Sequence, residues 1–189
     1  MLDTTDHVSP LDEIAPSRDP CAGREQRFAE IGAALARLPV ELRAARAADF
    51  LPSLIAAAGL LRATECAVPE TGYGRCNIYF CPRELFTAVA VVWPAGIVSP
   101  IHDHLTWCAF GVVEGTIEEV RYAEAAGTEA VARDNLRHAA GAVAFLHGAR
   151  AGIHSIHNPT EKPAVTLHIY GGDARKTGPN LSTVYTRAA

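Results

Sequence analysis

The chain has 189 residues, 49% of them hydrophobic, enough for one domain with a real core and too apolar for a disordered interaction tail. Its formal net charge of −4 argues against nucleic acid or an anionic membrane surface as the main partner. No apolar run approaches the roughly 18 residues of a membrane span, and the first 20 residues lack signal-peptide order, so the expectation is a soluble cytoplasmic protein.

Residues 1–22 are acidic and broken by prolines, and read as a loose leader before a single domain over 23–189. Phe28, Ile31, Leu35 and Leu38 recur at spacings of three and four, which predicts an amphipathic helix over 24–38 stopped by Pro39. A second helix, rich in Ala and Leu, is predicted over 41–62, restarting at Pro52 from an Asp49 cap; the helical part then ends near 65. From about 71 the character changes to short β-branched and aromatic runs between Gly, Pro and Asn turns. Strands are predicted at 75–80, 85–93, 101–104, 107–113, 115–122, 143–146, 154–157, 164–170 and 183–186. Many short strands without interleaved helices imply a mainly β fold over 71–189, a jelly-roll β-barrel with two or three N-terminal helices packed on it. The five cysteines, at 21, 66, 76, 81 and 108, fit neither a disulfide framework nor a zinc pattern, and most read as buried small hydrophobes.

Chemistry enters with the histidines. In a strand, residues two apart share a face, so His102 and His104 place two imidazoles side by side, a good pair of ligands for a borderline metal ion. His138 and His147 read as loop or surface residues. Gly96, five residues, His102-Xaa-His104, three residues, Cys108, six residues and Gly115 repeat the spacing of the first cupin motif, with Cys108 where that motif usually has Glu. His154, three residues, Asn158 matches the end of the second motif. The chain thus resembles the cupin superfamily, which implies a barrel holding a metal on strand-borne histidines. Without the Glu, three neutral histidines would leave a divalent ion more electrophilic and open to an anionic ligand such as a thiolate.

Two longer runs narrow the resemblance: WPAGIVSPIHDHLTWCAFGVVEG at 93–115 and HSIHNPTEKPAVTLHIY at 154–170. Over roughly 73–173 the chain is similar to the cysteine dioxygenase family of thiol dioxygenases, in its bacterial form. That resemblance implies Fe(II) on His102, His104 and His154, with His157 as the rival for the third place. It implies a hydrogen-bonded chain from Thr166 through His168 to Tyr170, whose phenol would face bound oxygen or substrate. Cys108 stands near the position of a cysteine that animal members join to the tyrosine, so a Cys108–Tyr170 thioether is a candidate modification. Arg75 would grip the substrate carboxylate, where Gln marks enzymes preferring 3-mercaptopropionate, and Tyr73 would add a hydrogen bond. Animal members follow the tyrosine with Ser-Pro; here Gly171-Gly172-Asp173 follows, which brings Arg175 and Lys176 forward as further carboxylate partners. Trp93 and Trp107 are expected to wall the cavity.

The expected activity is addition of both atoms of O2 to a small thiol, first of all L-cysteine going to cysteine sulfinate. The alternatives are a 3-mercaptopropionate dioxygenase and a non-catalytic metal-binding cupin that senses a small metabolite. The expected partners are the small thiol and O2, with no nucleic acid and no membrane; nothing in the sequence specifies an oligomeric state.

Overall fold

A computed structural model describes residues 20–57, 66, 68–147, 152–178 and 181–188. Ten strands and three helices follow one another as α1 (Pro20–Leu35), α2 (Val40–Ala56), β1 (Gly74–Phe80), β2 (Phe86–Trp93), β3 (Ile101–His104), β4 (Cys108–Glu114), β5 (Thr116–Glu124), β6 (Glu129–Ala139), β7 (Val143–Leu146), β8 (His154–His157), β9 (Ala164–Gly171), α3 (Ala174–Thr177) and β10 (Leu181–Arg187). One sheet runs β1-β2-β9-β4-β7; the other runs β10-β3-β8-β5-β6 and closes where β10 pairs in parallel with β6. The fold is a mainly β jelly roll with helices packed on one side.

At its centre the first sheet is buried on both faces, and its sequence says why. Every residue of β2 and of β9 is buried; β2 reads as a nearly unbroken apolar run, while β9 alternates Thr166, His168 and Tyr170 with Val165, Leu167 and Ile169. Ala88, Leu167 and Ile169 face the helices, where Phe28, Ile31 and Leu35 of α1 and Ala44, Ala47, Leu51 and Leu54 of α2 cover them. Val89, Val91, Thr166, His168 and Tyr170 face the other way, into the barrel; several pack there with Phe110, Ile117 and Ile156. This alternation aims β9's polar side chains at the interior.

The helices differ from the sequence expectation in two respects. α1 already begins at Pro20, inside the predicted leader, and ends at Leu35; α2 runs unbroken through Pro52. Pro52 lies on the exposed side near the helix end, where the loss of one backbone hydrogen bond is tolerated, and Asp49 pairs with Arg46 at 3.0 Å instead of capping a restart. The stretch 58–65, expected to hold the end of the second helix at 62, lies outside the described residues, as do 1–19.

One long strand escaped the sequence reading. β6, EAVARDNLRHA, is largely exposed and short of β-branched residues, so neither alternation nor propensity marks it. It is a strand because β5 offers a partner: the two pair from Thr116↔Ala139 to Glu124↔Ala130 across a bulge at Arg121 and Tyr122. Among the described residues, no helix is long and apolar enough to cross a membrane.

Candidate metal centre

The two sheets bring different groups to one spot. From the second sheet come three histidines. His102 on β3 lies directly opposite His154 on β8, and His104, two residues on, shares the face of His102. Their ligand atoms all fall within 4.8 Å of one another, and all three rings are buried. His104 Nε2 and His154 Nε2 are 3.0 Å apart. The ring contacts complete a tight triangle, with centroids 4.7 Å apart for His102 and His154 and 4.9 Å for His102 and His104.

The donor set fits a divalent metal. His102 donates from Nδ1 to the Pro100 carbonyl at 2.9 Å, and His154 donates from Nδ1 to Glu119 Oε1 at 3.0 Å. Each therefore keeps its Nε2 lone pair. Burial, and next the neighbouring His154, lowers the His102 pKa to about 4, so the ring is neutral, as a ligand must be.

Asp103, between two of these histidines, points the opposite way. It is fully buried and accepts from the Thr183 backbone N–H at 2.7 Å and the Tyr185 hydroxyl at 3.1 Å, tying β3 to β10. Asn158 works similarly at the other ligand strand. Its amide donates to the Trp93 and Lys162 carbonyls, at 2.9 and 2.8 Å, and so fixes the exit of β8.

From the first sheet comes a hydrogen-bonded row. Thr166 Oγ1 is 2.8 Å from His168 Nε2, and His168 Nδ1 is 3.1 Å from the Tyr170 hydroxyl. Trp93, missed as a polar partner in the sequence, heads the row: its Nε1–H donates to Thr166 Oγ1 at 2.8 Å. Tyr170 stacks on His168 and lies 5.1 Å from the His104 ring. Burial, and then Arg75, holds His168 well below the ordinary histidine value; burial, and then Cys108, pushes the Tyr170 phenol up. A neutral imidazole thus faces a protonated phenol.

Cys108 sits opposite Tyr170 in the β4–β9 register, its Sγ 3.8 Å from His168 Nδ1. It is fully buried, and burial followed by the charge of Glu119 raises its pKa, so it stays a thiol. Arg75 on β1 reaches across β2 until its guanidinium carbon is 5.5 Å from the centre of the Tyr170 ring. Tyr73, just before β1, packs on Trp93 at 4.6 Å. Tyr73, Arg75, Trp93, His102, His154, His168 and Tyr170 line one small, narrow cavity, walled also by Val91 and Ile156. A larger and more open groove of about 700 Å³, between α2 and the segments around Trp107 and Gly171, is lined by none of the three histidines.

Several expectations change here. His157 is not among the clustered histidines: its side chain is one-third exposed and lies 3.6 Å from Glu118. Trp107 walls no part of the cavity; it packs toward the helices, close enough to Gly171 that a Cβ there would lie 2.5 Å from its indole nitrogen. Arg175 is engaged with buried Asp173 at 2.6 Å and Lys176 with Glu84 at 2.6 Å, so neither faces the cavity. His138, read as surface, reaches inward from β6 to Glu119 Oε2 at 3.1 Å.

Glu119 is the most consequential residue that the sequence reading missed. The clustered donors are three histidines without a carboxylate, as expected; what the sequence reading missed is a fully buried carboxylate behind one of them, His154. Burial alone would raise its pKa, but hydrogen bonds from His138 and His154 and the charge of Arg121 outweigh that and hold it well below the ordinary carboxylate range. The one sequence signal was Ile117, an apolar residue two places earlier on the same face of β5.

Residues 70–175 match the family described as cysteine dioxygenase type I. The chain belongs to the cysteine dioxygenase type I family. The matched span contains every residue of the histidine cluster, the Thr166–Tyr170 row, Cys108, Tyr73 and Arg75. Similar solved structures include the Thermus thermophilus protein TT1209, at 15% identity and TM-score 0.46 over 59% of this chain and 96% of that one. The cupin domain of Schizosaccharomyces pombe Cnp3 matches at 16% identity and TM-score 0.45 over 62% and 77%. A Cupin 2 conserved barrel domain protein of Salinispora arenicola matches at 18% and 0.44 over 61% and 87%.

Proposed function

We propose that this member of the cysteine dioxygenase family is an Fe(II)-dependent dioxygenase that converts L-cysteine and O2 to cysteine sulfinate. The observation that carries the reading is the meeting, on one small cavity, of Arg75, the hydrogen-bonded Tyr170 and two members of the three-histidine cluster, His102 and His154. Fe(II) held by His102, His104 and His154 would supply the redox chemistry that joins a thiolate to O2.

The remaining groups divide the work. Arg75 offers a planar, permanently charged fork to the substrate carboxylate, with Tyr73 beside it. Holding that end fixes where the sulfur falls relative to the histidines. Val91, Trp93 and Ile156 keep the cavity apolar and exclude bulk water. Trp93 can only donate, which leaves the Thr166 hydroxyl proton for His168 Nε2. His168 then carries its proton on Nδ1 and donates it to the Tyr170 oxygen. The Tyr170 O–H is left to point into the cavity and donate to the oxygen end of the reacting pair.

Cys108 and Tyr170 face each other in register, which supports a thioether between Sγ and the phenol ring. Its formation removes the thiol hydrogen and one ring hydrogen, and the two electrons pass to O2, the co-substrate. Intact-mass measurement after turnover should find a loss of two hydrogens that Cys108→Ser abolishes.

The deciding experiment is O2 uptake by anaerobically Fe(II)-loaded protein given L-cysteine or 3-mercaptopropionate, with product mass. Faster cysteine turnover to a product two oxygens heavier is expected. Preference for mercaptopropionate would keep the chemistry and overturn the substrate. No uptake with either thiol would overturn the enzyme reading in favour of a metal-binding cupin.

A further inference from the structure

Glu119 is a buried carboxylate with both oxygens in use. Oε1 accepts from His154 Nδ1 at 3.0 Å, while Oε2 accepts from His138 Nε2 and from Arg121 Nη2, each at 3.1 Å. Its side chain is 0% exposed, whereas Arg121 is 38% exposed and His138 12%. A buried ion is costly even when well partnered, and an apolar residue of similar size is often as good for stability. Ile117, on the same face of β5 and equally buried, shows what packing selects there. The carboxylate therefore calls for a reason other than filling the barrel.

The register supplies it. β5 runs beside β8 with Arg121 opposite His154 and Glu119 opposite Ile156. The His154 ring lies between Glu119 and the histidine cluster, its Nδ1 turned to the carboxylate and its Nε2 to His104. Donation from Nδ1 to an anion fixes the tautomer, locks the ring plane and makes Nε2 a stronger donor. His102 has only a neutral partner in the equivalent place, the Pro100 carbonyl. The cluster is thus electronically uneven.

We propose that Glu119 is a positioning residue of the metal centre: it holds His154 with Nε2 facing the cluster and lends it negative charge, while His138 and Arg121 clamp the carboxylate. The proposal rests on reading His102, His104 and His154 as metal ligands. It makes His154 a stronger donor than His102 and gives His138, on a largely exposed strand, a task.

The test uses the full chain with ¹⁵N-labelled histidine, loaded with diamagnetic Zn(II), together with Fe(II) affinity measured by chelator competition. Wild-type protein should show a slowly exchanging, strongly downfield Nδ1–H proton on His154. Glu119→Gln keeps an acceptor of the same shape without the charge. It should move that proton upfield, weaken metal binding about 10- to 100-fold and raise the Fe(III)/Fe(II) potential. The potential is the readout that mere loss of packing would not shift in this direction. A folded Glu119→Gln protein with wild-type affinity and an unmoved resonance overturns the proposal. Should that variant not fold, the wild-type spectrum alone decides, since absence of the downfield His154 proton is equally fatal. Wild-type protein that binds neither Zn(II) nor Fe(II) would instead overturn the ligand reading, and the proposal with it.

Discussion

The second sheet supplies the histidines and the first supplies the groups that would handle substrate, and the two are held in place by different means. Each of His102 and His154 is fixed from behind, by the Pro100 carbonyl and by Glu119, so the ligand half depends on supports that never meet the cavity. The groups of the first sheet support one another in a row, Trp93 to Thr166 to His168 to Tyr170, all on inward faces of β2 and β9. The division implies that, on the proposed function, binding a metal and using it would be separable. Substitutions in one half should spare the other.

Four substitutions press on that separation, in falling order of effect. His104→Ala should abolish metal uptake, measured by bound iron per chain, and with it all O2 consumption, while the fold survives because the helix-covered core lies on the other side of the first sheet. Tyr170→Phe should lower kcat by about 10²-fold or more with iron content unchanged, the cost of removing a positioned proton donor. The same row sets a pH expectation. His168 is neutral well below 6.5 and Tyr170 stays protonated above 10.0, so wild-type kcat at saturating thiol should be level between those values. A limb inside that window that Tyr170→Phe removes would show that the row titrates and break the assignment.

Arg75→Gln should reduce kcat/KM for cysteine about 10- to 100-fold, the loss of a charged hydrogen-bond partner, and shift preference toward 3-mercaptopropionate. An unchanged ratio between the two thiols would remove Arg75 from substrate choice. Trp93→Phe should cost only about 5- to 10-fold in kcat, since it removes the donor that orients Thr166 without emptying the cavity wall. If Trp93→Phe instead emptied the iron site, the two halves would not be independent.

What could be read in advance followed from face-sharing at a spacing of two. His102 with His104, and Thr166 with His168 and Tyr170, needed no knowledge of register, because a strand puts such residues on one side whatever its neighbours. Glu119 needed register. In Ile117-Glu118-Glu119-Val120 either glutamate pairs with one apolar neighbour, and only the alignment of β5 with β8 turns Glu119 inward and leaves Glu118 near His157 at the surface. β6 was invisible for a related reason: its partner, not its composition, makes it a strand, and His138 was lost with it. Trp107 was legible as buried but not as to side; its packing against Gly171 is a fact of tertiary contact.

Asp103 has a consequence beyond holding two strands together. It stands between His102 and His104 in the chain and accepts from the Thr183 backbone N–H, so any change in the pitch of the two imidazoles is passed through one peptide segment to β10. The Thr183 amide is thereby a remote reporter. Its rate of deuterium exchange would register the loading of the histidine cluster from behind the ligand strand, without a probe ever entering the cavity.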